Sequence, residues 1–492
     1  MPGRRDLNNW LAITLVGYLF LQFAIAYMAS RFIKVEADYF VAGRRLGVYA
    51  VAMSVFATWF GAESVMGASG AVAQEGLAGG SADPFGYTLA LLGMATFLAF
   101  KMREAGVITF VDFFRQRFGP TANWMAAVLS IPTSVIWASA QLLAMGEIVA
   151  AVTGLDLTVG LLIGAAVIIV YTTVGGLLGD VITDIVQGSI LIVGLAVLLI
   201  VVLMTDGFSL SSIRPEQLSF SGFNEAGEPE SFLSTLNRWM IPIVGSLVAQ
   251  EAIARFLGAT SASAARKGCY IAAGLYLAVG MVPVVIGLVG AAAGFVPSGQ
   301  DAFLPELAEQ YLHPAMYVIL MGALVSAILS TVDTTLLAVS ALTTRNLVEP
   351  SFPNLSEKAK VRVGRAMTAT AGLVALFIAA SGETIKGLVD LASSFGSAGI
   401  VVALLFGLHT KFGDERAAVS ALIVGSLLSF VGDGHVGVLM APLVNEDTQT
   451  NMPMLFFGWE GGFVFSVVGA LAAYVMVALA TAPKRSAEAS AS

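Results

Sequence analysis

The pattern of hydrophobic and polar positions divides the chain into thirteen long apolar segments. Each holds about 20 apolar residues or more, the length that a helix needs to cross the hydrocarbon core of a bilayer. Most segments exceed that minimum, which indicates tilted helices. The pattern predicts an all-α polytopic membrane protein. The segments begin near Asn9, Leu46, Pro84, Ala122, Val159, Val181, Leu233, Gly268, Ala315, Arg362, Ile385, Ala417 and Gly458.

The ninth segment, from about Ala315 to Thr344, is polar in its middle, where an apolar sequence is expected. A carboxylate at membrane depth costs about 2.5–3.5 kcal/mol on insertion scales, so a function or a partner usually retains it. We therefore predict an ion site inside a transporter. The polar side chains of this stretch are Ser330, Thr331, Asp333, Thr334 and Thr335.

Two other segments contain residues that break helices. The second segment has Phe60 to Ser64 followed by Gly67, Gly70 and Glu75, and the seventh has Pro242, Gly245, Ser246, Gln250 and Glu251. Broken backbone at membrane depth is tolerated only where it faces protein or a wet cavity. The two segments lie five crossings apart and so have opposite orientations, as inverted repeats of five helices require. The alternative is a pair of kinked packing helices, and the charges beside the kinks argue against it.

The domain organisation follows from these segments as one transmembrane transporter domain over residues 1–492. Residues 1–35 form an extra amino-terminal helix, in which Trp10 to about Phe32 is too long for a signal peptide and is expected to be retained. The first repeat covers 46–205 and the second covers 233–409. Two further helices occupy 417–484, and 485–492 is predicted to be a disordered tail.

Lysine and arginine are distributed unequally between the two sides of the membrane. One side holds most of them, including Arg44, Arg103, Arg255 and Arg345, whereas the other has only Arg4, Arg5, Arg214, Arg238 and Lys386. The positive-inside rule then predicts an outer amino terminus and a cytoplasmic carboxyl terminus. We expect a multi-pass protein of the plasma membrane, which in a bacterium is the inner membrane, that functions as a monomer in the lipid bilayer.

Composition excludes several classes of protein. Hydrophobic residues make up 57% of the chain and charged residues 12%, with a mean hydropathy of +0.85, whereas soluble proteins carry about 25% charge. The single cysteine, Cys269, excludes a disulfide framework. No GxxxxGK[ST] phosphate loop occurs, so the sequence offers no such ATP-binding motif to drive pumping. There is no basic stripe for nucleic acid, and we expect no enzymatic activity.

Four motifs, in order, resemble those of the sodium:solute symporter family. The similarity extends from about Asp38 to Leu347, and its motifs are Tyr39–Arg45, Tyr171–Gln187, Gln250–Leu257 and Ala327–Ser340. The resemblance implies a LeuT-like inverted repeat of five plus five helices with flanking helices. Within the family the chain is most similar to the high-affinity choline transporter branch, through Ala57–Trp59, Pro84–Phe114 and Ile136–Ala138.

The resemblance also implies where sodium would bind. The shared family site takes two carbonyls from the first broken helix, here Ala57 and Phe60. The facing helix supplies the Ala327 carbonyl and the side chains of Ser330 and Thr331. These three positions are spaced i, i+3 and i, i+4, so they share one helix face. The alternative is that these hydroxyls bind no ion and only form hydrogen bonds between packed helices.

Some family members bind a second sodium, and the matching positions here are Asp184, Asp333 and Thr334. Asp333 departs from the pattern, because those members have a hydroxyl there, and the sodium stoichiometry stays open. Asp184 also fits a helix-start capping pattern with Gln187. Asp180, a few residues earlier, is expected to face cytoplasmic water.

The substrate is expected near the midplane, between the two broken helices. Aromatic faces beside carboxylates suit an organic cation through cation–π attraction of about 0.5–2 kcal/mol per ring. Ala249 and Ala252 replace aromatic residues of the choline branch, which makes a complete quaternary-ammonium cage doubtful. We hypothesise a small polar solute, an amine or amino acid, whose ammonium pairs with Glu63 or Glu251. Alternatively, either glutamate snorkels to water or pairs with Arg255. The candidate residues are Trp59, Glu63, Tyr87, Trp137, Gln141, Gln250 and Glu251, with Phe395 as an outer gate.

The leading interpretation is a sodium-coupled symporter that works by alternating access. Proton coupling through Glu63 or Asp333 is its nearest alternative. A transporter-like sensor is a second alternative, although the sequence has no output domain. An ion channel is disfavoured because no repeated carbonyl filter is apparent. The identity of the solute stays open.

Overall fold

The computed structural model describes residues 27–223, 228–381, 385–432 and 459–482, together with positions 17, 20, 21 and 23–25. The side chains at 151 and 152 are not among these. The expectations for residues 1–16 and for the tail 485–492 fall outside the described residues.

The described chain is helical almost throughout, and its only β-type pairings are two isolated bridges. This confirms the all-α fold class. The helices are α1 Glu36–Val41, α2 Val48–Trp59, α3 Ala68–Glu75, α4 Tyr87–Gly93, α5 Ala99–Ala105, α6 Phe110–Arg117, α7 Pro120–Thr153, α8 Leu157–Met204, α9 Phe232–Met240, α10 Gln250–Leu257, α11 Ala262–Ala292, α12 Phe303–Tyr311, α13 Pro314–Leu342, α14 Glu349–Ser351, α15 Glu357–Ala380, α16 Ile385–Ser394, α17 Ser397–His409, α18 Glu415–Gly432 and α19 Gly462–Thr481.

Short helical turns, either wide (π type) or tight (3₁₀ type), join several of these helices into longer spans. Turns of π type occur at Glu63–Gly67, Ser81–Gly86, Met94–Leu98, Ile241–Gly245 and Thr343–Val348. Turns of 3₁₀ type occur at Ala42–Arg44, Gly76–Gly80, Leu210–Ser212, Pro215–Leu218 and Ser246–Val248.

Among the described residues, 8 helices are long and apolar enough to cross a membrane, or up to 10 if each bent pair is one span. The predicted count of thirteen is therefore not confirmed. One reason is that the segments expected near Val159 and Val181 form the single element α8, which bends at Gly176 (φ 59°, ψ 179°). Another is that α2 is short, because it ends at the first break.

The helix α13 lies at the centre of the protein. Every residue from Ala323 to Leu342 is buried, and α13 packs against α2, α7, α8 and α15. A helix surrounded by protein on all faces can carry polar side chains, because each of them finds a partner other than lipid. This explains why the polar run tolerates membrane depth.

By contrast, α8 has one buried stripe and one apolar face. Gly164, Tyr171, Asp180 and Asp184 lie on the buried stripe, whereas several large apolar side chains of the same helix are exposed. An apolar face of this kind suits lipid contact. The exposed residues include Leu162, Val170, Ile182, Val193 and Ile200.

The ends of the two broken helices are joined at one side of the molecule. Leu46, just before α2, accepts a backbone hydrogen bond from Thr260 at 2.9 Å and donates one to Gly258 at 3.0 Å. Gly258 and Thr260 follow α10 directly. The two broken helices are therefore attached to each other as one unit, on the side that the arginines predict to be cytoplasmic.

A charged cluster lies on the same side. Arg345 contacts Glu36 at 3.4 Å and Asp112 at 3.3 Å, and Lys360 lies 3.7 Å from Glu36. Burial raises the pKa of the Glu36 carboxyl, although the two cations act to lower it. This cluster connects α1, α6, the extension of α13 and α15.

The bend in α8 yields a prediction about Gly176. A Cβ at this position would lie 2.7 Å from Tyr39 Cδ2, and the backbone has a positive φ. We expect Gly176→Ala to lower the thermal unfolding temperature of the purified protein in detergent, since backbone strain of this kind costs about 1–3 kcal/mol. The control is Gly274→Ala in α11, where nothing lies within 4 Å of the added Cβ. Equal unfolding temperatures for the two variants would contradict the prediction.

Candidate functional site

The break after α2 brings backbone carbonyls to a face of α13 that carries hydroxyls. Phe60 directly follows α2 and has non-helical backbone angles (φ −90°, ψ 69°). Ser330 Oγ lies 2.6 Å from the carbonyl oxygen of Ala57 and 3.0 Å from that of Ala327, and Thr331 Oγ1 donates to the Ala327 carbonyl at 3.1 Å. All five residues that the sequence suggested for sodium are buried at this junction. Neutral oxygens from an unwound backbone and from hydroxyls suit an alkali cation.

Further oxygens converge beside the same break, around Gly61. A Cβ on Gly61 would lie 2.7 Å from Glu63 Oε2, 2.8 Å from Gln141 Oε1 and 2.8 Å from Thr331 Oγ1, so a larger residue here would displace these polar side chains. The Gln141 amide donates to Glu63 at 2.6 Å and accepts from the Ala62 N–H at 3.0 Å. The predicted solute residues Glu63 and Gln141 thus lie next to the predicted sodium residue Thr331.

Three aromatic residues that the sequence suggested for the solute site form one group on the other side of Glu63. The ring centroids of Trp59 and Tyr87 are 5.7 Å apart, and each lies 6.1 Å from that of Trp137. The Trp137 indole N–H donates to Glu63 Oε1 at 3.2 Å. Trp59 and Trp137 are 1% and 2% exposed, so they are buried within the protein and do not anchor it at a membrane interface.

The remaining predicted solute residues lie around the second break. Ser134 donates to Glu251 Oε2 at 3.3 Å, and the Phe110 N–H donates to Gln250 Oε1 at 2.9 Å. The Phe395 carbonyl, at the bend between α16 and α17, accepts from Thr133 at 3.0 Å. The predicted solute residues therefore form two groups, which α7 connects because it carries both Trp137 and Ser134.

A cavity of about 20 Å³ lies inside this second group. It has room for about one water-sized group. Ser246 Oγ and Gln250 Nε2 line it, and both are buried without a hydrogen-bond partner among the described residues. Its other polar lining residues are Ser130, Thr133, Ser134, Ser393 and Ser397.

Sequence reasoning missed a polar network that supports the first break. Asp83 Oδ2 accepts hydrogen bonds from Ser64 at 2.6 Å and from Tyr276 at 2.7 Å. Both hydroxyls also reach the Trp59 carbonyl, at 3.3 Å and 3.1 Å, which the end of α2 leaves without its helical partner. The signal in the sequence was Asp83 itself, an acid placed just before Pro84 at the start of an apolar segment.

Arg255 is the centre of a second buried cluster. Its guanidinium contacts the Asp180 carboxylate, lies 3.2 Å from Asp184 Oδ2 and donates to Ser54 Oγ at 3.1 Å. Arg255 is 0% exposed and Asp180 is 4% exposed. The expectation that Asp180 faces cytoplasmic water, and the placement of Arg255 among the loop cations, are therefore wrong. Each charge is retained inside because the other compensates it.

The capping interpretation of Asp184 is also wrong. Asp184 and Gln187 lie in the interior of α8, which bends earlier, at Gly176. The Asp184 carboxylate instead accepts a hydrogen bond from Ser54 of α2. The alternative that Glu251 pairs with Arg255 finds no support either, because only the Glu251 backbone carbonyl accepts from that guanidinium, at 3.3 Å.

Asp333 and Thr334 complete this cluster. Thr334 Oγ1 lies 3.0 Å from Asp180 Oδ2, and the Thr334 N–H donates to Asp333 Oδ1 at 2.8 Å. The other Asp333 oxygen accepts from the Tyr171 hydroxyl. Asp180 and Asp184 thus contact the single guanidinium, and Thr334 links Asp333 to them, so the cluster carries a net negative charge if all three carboxylates are ionised. The residues that the sequence suggested for a second sodium, Asp184, Asp333 and Thr334, lie together here.

The model of the sodium:solute symporter family matches residues 39–425. The chain is 28% identical to the human high-affinity choline transporter 1 over 426 residues, which are 82% of this chain and 72% of that protein. It is also 28% identical to the Escherichia coli sodium/proline symporter over 492 residues, 94% of each chain.

Two solved structures share the fold. A Na⁺-coupled sialic acid symporter in a substrate-bound, outward-open state superposes with a TM-score of 0.76 at 17% identity, over 97% of this chain and 98% of that one. A nucleobase-cation-symport-1 transporter in a closed conformation gives a TM-score of 0.54 at 18% identity, over 90% of this chain and 94% of that one. These confirm the predicted LeuT-like fold.

The buried cluster predicts that Arg255 is essential for stability. Arg255→Met leaves the surrounding carboxylates without their cation, and breaking a buried pair costs about 3–5 kcal/mol. We expect a thermal unfolding temperature several degrees below that of Arg266→Met, a control at an exposed arginine of α11. Adding Asp184→Asn to Arg255→Met should restore part of the loss. If Arg255→Met unfolds at the same temperature as the control, the cluster does not stabilise the fold.

Proposed function

The chain belongs to the sodium:solute symporter family, and from this premise we propose how it transports a small polar organic solute. Like its family, it is a multi-pass membrane transporter and not an enzyme. We propose that it is a secondary active symporter that couples inward sodium flow to solute uptake by alternating access. The membrane potential contributes about 2.3 kcal/mol per charge per 100 mV, so one or two sodium ions support substantial accumulation.

The observation that carries this proposal is the junction of the first break with α13. The carbonyls of Ala57, Phe60 and Ala327 and the hydroxyls of Ser330 and Thr331 are proposed as the sodium ligands. Support comes from their common burial and from the 2.6 Å contact between Ser330 Oγ and the Ala57 carbonyl. Because these ligands come from two different elements, a bound ion would hold the elements together and favour one state of the transport cycle.

The solute is proposed to bind between the two breaks. The residues of the aromatic group and of the second break would form the surface that contacts the solute. An amine, an amino acid or a similar molecule would pair its ammonium with a buried carboxylate. Glu251 supports this, since its Oε1 is buried without a hydrogen-bond partner among the described residues. The proposed solute residues are Trp59, Glu63, Tyr87, Trp137, Gln141, Gln250 and Glu251, with Phe395 as the outer gate.

A second sodium is proposed at Asp184, Asp333 and Thr334. The excess of carboxylates over cations around Arg255 supports a further positive charge there. A proton on one of the three carboxylates is the competing candidate for that charge, although the hydrogen bond that Tyr171 donates to Asp333 stabilises the ionised carboxylate. The second candidate function is thus a proton-coupled symporter, which separate sodium and pH gradients distinguish from the first.

The placement in the cell is also part of the proposal. We expect the protein in the plasma membrane, the inner membrane of a bacterium, with its amino terminus outside and its carboxyl terminus in the cytoplasm. The asymmetry of arginine and lysine supports this orientation. We propose that a single copy suffices for transport, since both sets of candidate ligands lie within one chain.

Uptake into proteoliposomes tests the coupling. With choline, proline and a panel of small amines as solutes, we expect accumulation under an inward sodium gradient and none under a pH gradient alone. Ser330→Ala should raise the sodium concentration for half-maximal uptake at least about tenfold, equivalent to 1.4 kcal/mol. The control is Ser340→Ala on the same helix, whose hydroxyl bonds to the Gly364 carbonyl at 2.6 Å. Accumulation driven by a proton gradient without sodium would refute the proposal.

Binding assays test the charge pairing. Glu251→Gln and Glu63→Gln should each weaken binding of the transported solute about tenfold or more, because a neutral amide lacks the charge that attracts an ammonium. The control is Glu306→Gln in α12, whose carboxylate bonds to Ser298 away from both breaks. Unchanged affinity in both variants would reject an ammonium partner for these glutamates.

A further inference from the structure

A second small cavity lies above the first break and is lined by three carboxylates. Glu63, Asp83 and Asp390 contribute to its wall together with Tyr87. Its volume is about 20 Å³, enough for one water-sized group or one ammonium group. It is separate from the hydroxyl-lined cavity at the second break, and neither Asp83 nor Asp390 was among the residues that the sequence suggested.

Asp83 has one carboxylate oxygen that no hydrogen bond satisfies among the described residues. The residue is 5% exposed, and Ser64 and Tyr276 both donate to its Oδ2. Its Oδ1 is buried with no hydrogen-bond partner among the described residues. An unpaired buried carboxylate oxygen is costly, so a ligand that supplies a donor here would bind favourably.

One cation, Lys386, lines this cavity, and its ion pair is formed outside the wall. Lys386 Nζ lies 3.6 Å from Glu75. Arg238 pairs with the same Glu75 at 2.6 Å and with Glu230. Both cations thus form their ion pairs with carboxylates outside the cavity wall, and their charges act on Asp390 only at longer range.

Apart from Lys386 and Val389, the rest of the wall is made of small residues. Glycine and alanine let a ligand approach the carboxylates closely. Tyr87 on the same wall belongs to the aromatic group, since its ring centroid lies 5.7 Å from that of Trp59. A cation in the cavity would therefore sit beside the proposed solute site. The small lining residues are Gly67, Ala68, Ala71, Gly79 and Ala82.

We propose that the solute is a protonated amine without a carboxylate, and that its ammonium binds among Glu63, Asp83 and Asp390. This rests on the proposed function and narrows its substrate class. An ammonium with N–H donors satisfies several carboxylate oxygens at once, whereas a quaternary ammonium has no donor for Asp83 Oδ1. The carboxylate of an amino acid would face like charges here, which disfavours it.

A purely structural role for Asp83 makes a different prediction. In that case Asp83 only holds Ser64 and Tyr276 at the break, and its replacement lowers stability without changing which solutes bind. Asp390 separates the two explanations, because it belongs to the cavity wall and does not contact the break through Ser64 or Tyr276. Its variant should change solute selectivity with little effect on stability.

The experiment measures thermal stabilisation and proteoliposome uptake for solutes that differ only by a carboxylate or by N-methylation. Matched sets are ethanolamine, serine and choline; pyrrolidine and proline; putrescine and ornithine; and tyramine and tyrosine. With sodium present, we expect the best ligand to be an amine and its amino acid or trimethylated counterpart to bind at least tenfold more weakly. Asp83→Asn and Asp390→Asn should each weaken amine binding at least tenfold. Asp301→Asn is the control, a buried aspartate that lines a different cavity.

The outcomes separate this inference from the proposed function. Sodium-dependent binding of an amino acid or a quaternary ammonium in preference to every amine would overturn the amine site and leave the symporter intact. So would amine binding that Asp390→Asn leaves unchanged, a result that does not depend on the folding of Asp83→Asn. Binding or uptake that is indifferent to sodium for every solute would overturn the proposed function, and the absence of binding by any amine would overturn the inference.

Discussion

The constraint on which this structure depends is that backbone groups at membrane depth need partners inside the protein. Hydrocarbon offers neither donors nor acceptors, so a helix that stops halfway must have its free carbonyls satisfied by side chains. At the first break, Ser64 and Tyr276 reach the Trp59 carbonyl and Ser330 reaches the Ala57 carbonyl. The break is therefore possible only because α11 and α13 place hydroxyls next to it.

The same arrangement bears on the proposed sodium site. Ser330 donates its hydroxyl proton to the Ala57 carbonyl, so both groups are satisfied. At the proposed site, the hydroxyl would turn its lone pairs toward the cation, and the carbonyl would exchange a hydrogen bond for a cation contact. A hydroxyl suits this exchange because it both donates and accepts.

Hydrophobic periodicity predicted the fold well because the local pattern of apolar and polar residues reflects how long a membrane helix is and how deep its residues lie in the membrane. The starts of α2, α7, α9, α13 and α16 lie within a few residues of the predicted positions. The bend at Phe395–Gly396 was not predicted, since a single glycine does not distinguish a break from close packing. The partners of Asp180 and Arg255 were missed for another reason. They lie far apart in sequence, on α8 and α10, and only the packing of these helices against α13 brings them into contact.

The two buried acidic clusters differ in a way that bears on coupling. Around Arg255, three carboxylates have an internal guanidinium, and the network joins α2, α8, α10 and α13. Around Asp83, the carboxylates have hydroxyl and amide donors, and the one lysine on the cavity wall, Lys386, pairs with Glu75 instead. The first cluster has an internal cation that compensates part of its charge, and its contacts hold four helices together. The second has no cation within ion-pair distance of its carboxylates in the described part of the chain, so the solute ammonium proposed above would supply one. Binding of that solute would change the charge balance of the second cluster and thereby favour one state of the transport cycle.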